Sequence, residues 1–372
     1  EARLRQFFAL PWVQRGTPEL LLIKRAVRAN DNWSSHVAFP GGRRDEEDEN
    51  GLYTSMRETW EEVGIDLAEK EFLHVGHLED REITSSLGKR LLMILSPYIF
   101  LHLSPFSPTP SLQPSEVSSL HWVPLSQLFT PTPRWGTLHM DVARHMPQNS
   151  YMRSMLSMLI GQITFRSIQL PNTPTAITMA MARDHFAHLA KPPPAKEAEE
   201  EEDTFLLNAE QQAYLGQVTP RLQLWGLTLG MTLDLLSHMS TYQREKPPPE
   251  PPTIHALKSL FSILPSSRLF GDAYSAPAKA PSVVEVFPRF GYPDINLWLW
   301  VFGWRYRAIL RKWRQSIGTE LERQAHWSGL AIAAFYSCVR RALIVALVLR
   351  AMGLVSLVSL GGYLGWRRLY RL

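Results

Sequence analysis

A stretch of five residues contains three glutamates, Glu58, Glu61 and Glu62. On a helix, residues three and four positions apart are neighbours, so this spacing would bring three mutually repelling carboxylates together. A divalent cation removes that repulsion. Carboxylate oxygens are hard ligands that suit Mg²⁺ or Mn²⁺, ions that commonly share their coordination shell with substrate phosphates. The pattern therefore predicts a metal site that acts on a phosphorylated small molecule.

The flanking residues predict the helix that must carry these carboxylates. Residues placed at 100° intervals put Met56, Trp60 and Val63 in one apolar sector, with the glutamates on the opposite side. We therefore expect the apolar face of the helix to pack against the core and the opposite face to present the glutamates to the metal.

Both ends of this helix are marked in the sequence. Asp48 and Asn50 can cap its start, Glu49 suits the positive end of its dipole, and Gly64 suits a left-handed closing residue. Upstream, residues 37–39 are typical of a strand, and the Pro-Gly-Gly run at 40–42 is typical of a tight turn. The predicted unit is strand, loop and helix.

These residues resemble the Nudix box, in which a glycine, a glutamate, an Arg-Glu pair, a Glu-Glu pair and a second glycine recur at fixed spacing. The matching positions are Gly42, Glu49, Arg57, Glu58, Glu61, Glu62, Gly64 and Ile65. Two features depart from the common box: the loop after Gly42 is one residue longer, and Thr59 replaces an aliphatic residue. The longer loop, with the Ala-Phe-Pro-Gly-Gly lead-in at 38–42, is similar to the coenzyme A pyrophosphatase branch of the family.

The resemblance implies an α/β fold, a Nudix-type α/β/α sandwich with a mixed sheet. It also implies that water attacks a diphosphate with the help of bound Mg²⁺ or Mn²⁺. Glu58 and Glu62 are the first candidates for metal ligands, and Glu61 is a third ligand or the base. Gly42, Glu49, Arg57 and Gly64 are expected to be structural, with Arg57 pairing with Glu49 or a neighbouring carboxylate.

Four further residues are candidates for binding substrate. Arg43 and Arg44 could bind phosphate, although a solvated pair is an equal alternative. His36 could touch a phosphate or be an ordinary residue at a strand end. Glu116 could reach the metal site from a loop or be an exposed loop glutamate.

Composition limits the other functions. A net charge of +4, without basic residues pooled near the glutamates, gives no reason to expect nucleic acid as a partner. The single cysteine, Cys338, excludes an intrachain disulfide.

The sequence divides into three predicted regions. Residues 1–240 form the Nudix domain, in which residues 6–24 are expected to make a hairpin and 222–239 the last helix. A Pro-rich and acidic insertion lies at about 190–205. Residues 241–296 are a Pro-rich linker, and residues 297–372 combine an aromatic and basic segment with a membrane anchor.

The predicted anchor is the stretch from Ala342 to Trp366, 25 residues with one charge, Arg350. Its twelve Leu, Ile and Val residues favour insertion by about 4 to 7 kcal/mol, against a cost of about 2.5 to 3.5 for the arginine. We expect Arg350 to snorkel and residues 327–339 to form a separate helix in the membrane interface. The alternative is a helix packed on the soluble domain. Basic residues upstream favour a cytosolic catalytic domain.

Together these patterns predict a membrane-held, Mg²⁺-dependent diphosphohydrolase whose favoured substrate is coenzyme A or an acyl-coenzyme A. One alternative substrate is another nucleoside diphosphate derivative. A different class of function is a noncatalytic membrane adaptor that retains the Nudix fold.

Overall fold

The computed structural model describes residues 2–28, 35–84, 91–129, 133–141, 151–186, 204–239, 287–316 and 327–370. The acidic insertion predicted at about 190–205 lies outside the described residues up to residue 203, as does most of the predicted linker, whereas residues 204 and 205 belong to the strand Thr204–Leu206.

Thirteen strands and ten α-helices are found in the described part of the chain, with one short 3-10 helix at Leu125–Gln127. The strands are β1 Glu19–Arg25, β2 Val37–Ala38, β3 Phe72–His77, β4 Arg81–Thr84, β5 Leu91–Leu95, β6 Tyr98–His102, β7 Val117–Pro124, β8 Trp135–Asp141, β9 Gln162–Leu170, β10 Ala176–Thr178, β11 Thr204–Leu206, β12 Leu222–Trp225 and β13 Arg289–Phe290. The helices are α1 Ala2–Phe8, α2 Pro11–Arg15, α3 Gly51–Val63, α4 Tyr151–Ile160, α5 Met179–Phe186, α6 Ala209–Val218, α7 Gly226–Met239, α8 Pro293–Phe302, α9 Trp304–Ser316 and α10 Trp327–Leu369.

A five-stranded sheet lies at the centre of the domain, in the order β11-β10-β7-β1-β2. Adjacent residues of β1 point to opposite faces of this sheet, as the pleat requires. Ile23 packs with Val63 at the end of α3, and Leu22 packs with Leu229 and Leu233 of α7. The sheet is therefore covered by α3 on one face and by α7 on the other.

The second sheet joins the core on the α7 side. Its central strand β9 pairs with β8, β12 and β13, and Ile168 and Leu170 of β9 lie in the same cluster as Leu22. Two separate hairpin-like pairs, β3 with β6 and β4 with β5, complete the strands. Arg81 of β4 donates to Asp234 of α7 at 3.0 Å, which ties the second pair to the core.

Strand pairing corrects one sequence prediction. A mixed sheet was expected, but every pairing among the described strands is antiparallel. A parallel pair needs a long crossover between neighbouring strands. The central strand β7 instead runs opposite to both of its neighbours, β1 and β10.

Two local predictions are also wrong. The expected opening hairpin is replaced at its start by α1 and α2, because Pro11 begins a helical turn and only residues 19–25 join the sheet. The expected helix 222–239 begins later, because residues 222–225 pair with β9 and Gly226 turns the chain at a φ of 62°.

The last part of the linker predicted at 241–296 is ordered structure. Residues 289–290 pair with β9, and α8 begins at Pro293, where a proline at the first helical position suits the start of a helix. Asn296 fixes this turn by exchanging hydrogen bonds with the main chain of Phe290.

The C-terminal helices also differ from prediction. A separate interfacial helix at 327–339 was expected, but α10 continues without a break from Trp327 to Leu369. One side of its first half is packed, since Phe335, Cys338 and Ala342 are buried in contact with α8 and α9, whereas Ile344 and Val348 on the other side are about half exposed. No helix-breaking proline separates the two predicted segments, so one helix forms.

The second half of α10 has a different environment. All residues from 351 to 364 are exposed, and the stretch Gly329–Leu364 is apolar and long enough to cross a membrane.

Candidate functional site

The candidate site lies where α3 meets the Pro-Gly-Gly turn, and the ends of α3 form as predicted. The side chain of Asn50 accepts a hydrogen bond from the Tyr53 N–H at 2.9 Å, capping the start of the helix. Gly64 ends it at a φ of 68°, with its N–H donating to the Trp60 carbonyl. Local sequence therefore fixed the length of the helix that carries the glutamates.

The rotation of α3 differs from the helical-wheel prediction. Trp60 was expected in the apolar sector, but it is 57% exposed, whereas Glu62 is 2% exposed. Thr59, which departs from the usual box, is buried and donates to the Ser55 carbonyl. The helical-wheel prediction of a single buried face is wrong because α3 contacts both the sheet and the loop before it, so two of its faces are buried.

Glu62 and Glu58 both lie against the Gly-Gly turn. The Gly41 N–H donates to Glu62 Oε2 at 2.9 Å. A Cβ placed on Gly42 would lie 2.2 Å from Glu58 Oε2, so any larger residue there would displace the carboxylate or the turn. The two adjacent glycines thus allow the backbone to approach both carboxylates closely.

The electrostatics of these two glutamates reflect burial and crowding. Burial, reinforced by the negative charges of Glu116 and Glu58 and opposed by the hydrogen bond from the Gly41 N–H, raises the pKa of Glu62 to about 7. Burial likewise raises the pKa of Glu58, where the charge of Arg57 opposes those of Glu61 and Glu116. Glu116 therefore acts on both carboxylates from the loop before β7.

Glu116 is held by a basic partner. Arg28 Nη2 lies 2.9 Å from Glu116 Oε1, and Arg28 Nε donates to the Ser115 carbonyl at 2.6 Å. The main chain adds a further bond, from the Ala26 N–H to the Glu116 carbonyl. The segment after β1 thus positions the third acidic group.

Glu61 is placed differently from Glu58 and Glu62. Its carboxylate lies 2.8 Å from Arg57 Nη1 and is about half exposed. Glu58 also accepts a hydrogen bond from Arg57 Nη2, at 3.1 Å, and its pKa is affected by the charges of both Glu61 and Glu116. Glu58 therefore interacts with Arg57 as well as with the group that it forms with Glu62 and Glu116, whereas Glu61 is paired with Arg57.

Arg57 organises the loop before α3. It makes two hydrogen bonds to the buried Asp48 carboxylate, at 2.9 and 3.0 Å, and one to the Arg43 carbonyl. The Thr54 hydroxyl and the Asp45 N–H donate to the same carboxylate. These bonds, led by that from Arg57, hold the pKa of Asp48 well below its usual range.

The sequence predicted that Arg57 pairs with Glu49 or with a neighbouring carboxylate, and the structure shows the second of these. Glu49 was the first candidate, but the carboxylate that receives Arg57 is Asp48, while the Glu49 carbonyl accepts from Arg44. Asp48 was interpreted as a helix cap. No local sequence signal distinguishes a cap from an arginine partner nine residues away, so only the folded loop decides it.

The remaining candidates lie around this centre. Arg43 is exposed, and Arg44 donates to the Asp48 and Glu49 carbonyls. His36 packs edge-on against Trp225, with ring centroids 5.0 Å apart.

Two carboxylates, those of Glu58 and Glu62, could bind a divalent cation, whose other coordination positions would be filled by water or substrate. Among the residues that the structure describes, no group of three or more acidic, histidine or cysteine side chains is close enough to hold a metal ion. Mg²⁺ commonly uses one or two carboxylates together with waters and substrate phosphates. The donor chemistry agrees with such a site, and so do the raised pKa values of the two carboxylates, which burial causes and neighbouring negative charges reinforce.

A central sheet flanked by helices, with a glycine turn on a glutamate-bearing helix, defines an α/β domain with an acidic candidate site. Comparison with family models identifies residues 3–142 as a NUDIX domain, so this chain carries that domain. The matched range contains the turn, α3, Arg28 and Glu116.

Individual relatives agree over shorter stretches. An uncharacterized protein of Schizosaccharomyces pombe is 36% identical over 166 residues, which is 44% of this chain and 50% of the relative. The peroxisomal coenzyme A diphosphatase ndx-8 of Caenorhabditis elegans is 36% identical over 97 residues, 26% of this chain and 38% of its own. The mitochondrial coenzyme A diphosphatase NUDT8 of Mus musculus is 40% identical over 53 residues, 14% and 25% of the two chains. This chain therefore spans half or less of the length of each of these three relatives.

Proposed function

We propose that this protein is a Mg²⁺- or Mn²⁺-dependent diphosphohydrolase that acts on coenzyme A or an acyl-coenzyme A. The observation that carries the proposal is the approach of Glu58 and Glu62 to one glycine turn, within a NUDIX domain. The names of two relatives supply the substrate class.

In this proposal Glu58 and Glu62 hold the metal, with Glu116 nearby as an additional acidic group. When bound, the cation would activate water and neutralise charge that develops on the phosphates. With a pKa of about 7, Glu62 can hold or release a proton near neutral pH before the site is loaded. The Gly41 N–H orients its Oε2 atom, and Arg57 keeps the turn in place through Asp48 and Arg43. Arg43, Arg44 and His36 remain candidates for substrate contact.

We further propose that residues 1–240 work as the catalytic region and that α10 holds it at a membrane. The exposed apolar half of α10 supports this part of the proposal. The sequence expectation of a cytosolic catalytic domain is retained with it.

The test is turnover of a panel of diphosphate compounds by the full chain with Mg²⁺, including coenzyme A, acyl-coenzyme A and nucleotide sugars. Glu62→Gln is expected to lower kcat by at least about a hundredfold, the scale of losing one electrostatic stabiliser. Glu69→Gln changes an exposed glutamate beyond α3 and should retain activity. Preference for a nucleotide sugar would replace the substrate assignment. Turnover of no compound by a folded protein would favour the noncatalytic adaptor.

A further inference from the structure

We propose that α4 is a second membrane-contacting element, which rests in the lipid headgroup region beside the point where α10 leaves the folded domain. The inference depends on the proposed membrane association of α10. It is carried by the juxtaposition of an exposed apolar stripe on α4 with the start of the exposed half of α10.

The stripe consists of Tyr151, Met155 and Met158, which are 96%, 52% and 78% exposed. These residues are four and seven positions apart, so they lie along one side of the ten-residue helix, about 15 Å long. The other side of α4 packs inward, where Ile160 is buried with Phe290 and Ile295. The helix therefore presents a large apolar surface outward while its inner face is already used.

Arg350 places this stripe next to α10. Its guanidinium donates to the Leu159 carbonyl, one residue after Met158. Tyr292 connects the same elements, because its hydroxyl donates to the Met158 carbonyl at 2.7 Å and its ring lies 4.3 Å from the Arg350 guanidinium carbon. The C-terminal end of α4 is thus fixed at the level of Arg350.

The charge of Arg350 is paired at this level rather than left in an apolar environment. Nε and Nη2 of Arg350 donate to the two Asp294 carboxylate oxygens at 2.9 and 2.6 Å. Arg350 therefore marks a boundary: before it one side of α10 is packed in the domain, and from residue 351 to 364 every residue is exposed. This pairing replaces the snorkelling expected from sequence.

Continuity with that exposed segment favours lipid as the occupant of the stripe. If residues after Arg350 enter the bilayer, the surface that surrounds Arg350 faces the headgroups, and the stripe belongs to this surface. Tyrosine is a residue type enriched at membrane–water interfaces, and a helix with one apolar face is the form that lies in the interface plane.

Environment-sensitive fluorescence can test the position of α4. A nitrobenzoxadiazole label would be attached at Met158→Cys or Met155→Cys in the full chain, in a Cys338→Ser background. The protein would be reconstituted in phosphatidylcholine and phosphatidylglycerol vesicles. Val355→Cys reports the exposed half of α10, and Phe106→Cys is an exposed control on the loop beside α3. The two α4 positions guard against a single variant that fails to fold.

We expect blue-shifted emission at both α4 positions, with quenching by lipids that carry a nitroxide close to the headgroup. Val355 should be quenched by nitroxides deeper in the acyl chain, and Phe106 by neither. Lipid contact at Val355 without contact on α4 would overturn this inference and leave the anchor intact. An absence of lipid contact at Met155, Met158 and Val355 would overturn the proposed membrane anchor as well. Blue-shifted α4 emission that depends on protein concentration and not on nitroxide lipid would assign the stripe to a second copy of the chain.

Discussion

Glu62 combines burial with an ionisable group, and this gives the protein a defined pH dependence. Its pKa rises from the ordinary value of 4.5 to about 7, so the folded state binds more protons than the unfolded state between these values. Stability therefore falls as pH rises through this window, by about 3 kcal/mol for a shift of this size. The raised pKa of Glu58 acts in the same direction. The lowered pKa of Asp48 acts in the opposite direction, but at pH values below the window.

Urea unfolding of the metal-free protein between pH 5 and 8 would measure this effect. We expect Glu62→Gln to flatten the profile, because the amide does not ionise. Added Mg²⁺ should restore stability at the upper end of the range, since the cation binds the ionised carboxylates. A wild-type profile that is already flat, or one that Glu62→Gln leaves unchanged, would contradict the assignment.

Arg57 supports the site without belonging to its metal-binding group. Its planar guanidinium reaches both oxygens of Asp48 and the Arg43 carbonyl, a geometry that lysine does not reproduce. Arg57→Lys should therefore shift the glycine turn and lower kcat about ten- to a hundredfold, as small misplacements of reacting groups do. Arg15→Lys is a control of the same chemistry at an exposed arginine outside this loop, where Arg15 donates to the Pro11 carbonyl of α2. Equal activity of the two variants in a Mg²⁺-dependent assay with coenzyme A would contradict this role of Arg57.

At the scale of elements, the end of α3 depends on Gly64. A Cβ at this position would lie 2.7 Å from Ser111 Cβ and 2.9 Å from Ser111 N, and the residue also adopts a left-handed φ of 68°. Gly64→Ala thus adds a clash to a conformational cost of about 1 to 2 kcal/mol. We expect the free energy of unfolding to fall by more than this cost alone.

Gly226 provides the matched control for that substitution. It has a similar φ of 62°, but nothing lies within 4 Å of its added Cβ. Gly226→Ala should lower the free energy of unfolding by the conformational cost alone. The difference between the losses of the two variants then measures the clash of a Cβ at position 64 with the loop at Ser111. Equal losses of the free energy of unfolding in urea would mean that the loop at Ser111 moves away from the added methyl group without destabilising the fold.

For the whole molecule, the division of α10 at Arg350 determines where the chain can be shortened. The part before Arg350 contributes Cys338, Ala342 and Ala346 to a core shared with α8 and α9. A chain that ends after Arg350 should keep this core and be released by alkaline carbonate, whereas the full chain should stay with the membrane pellet. A chain that ends before Trp327 should expose the core and aggregate.

Fractionation followed by size-exclusion chromatography would separate these outcomes. Release of the intact chain by carbonate would exclude a spanning helix. A soluble, monodisperse protein that ends before Trp327 would show that the first half of α10 is dispensable for folding.

The sequence by itself determined the features that depend on neighbours along the chain. The start of α3 at the Asn50 cap, its end at Gly64 and the clustering of Glu58 and Glu62 on adjacent turns follow from local propensity and helical spacing. The apolar character of the C-terminal helix also follows from composition.

Tertiary structure decided everything that depends on contacts across the chain. The rotation of α3, which buries Glu62 and exposes Trp60, is set by the sheet and the glycine turn that enclose it. The pairing of Arg350 with Asp294 joins residues 56 positions apart, and no periodicity in either segment encodes it. Burial and long-range pairing arise only when separate elements meet, and for this reason the pKa of Glu62 and the boundary within α10 are properties of the fold.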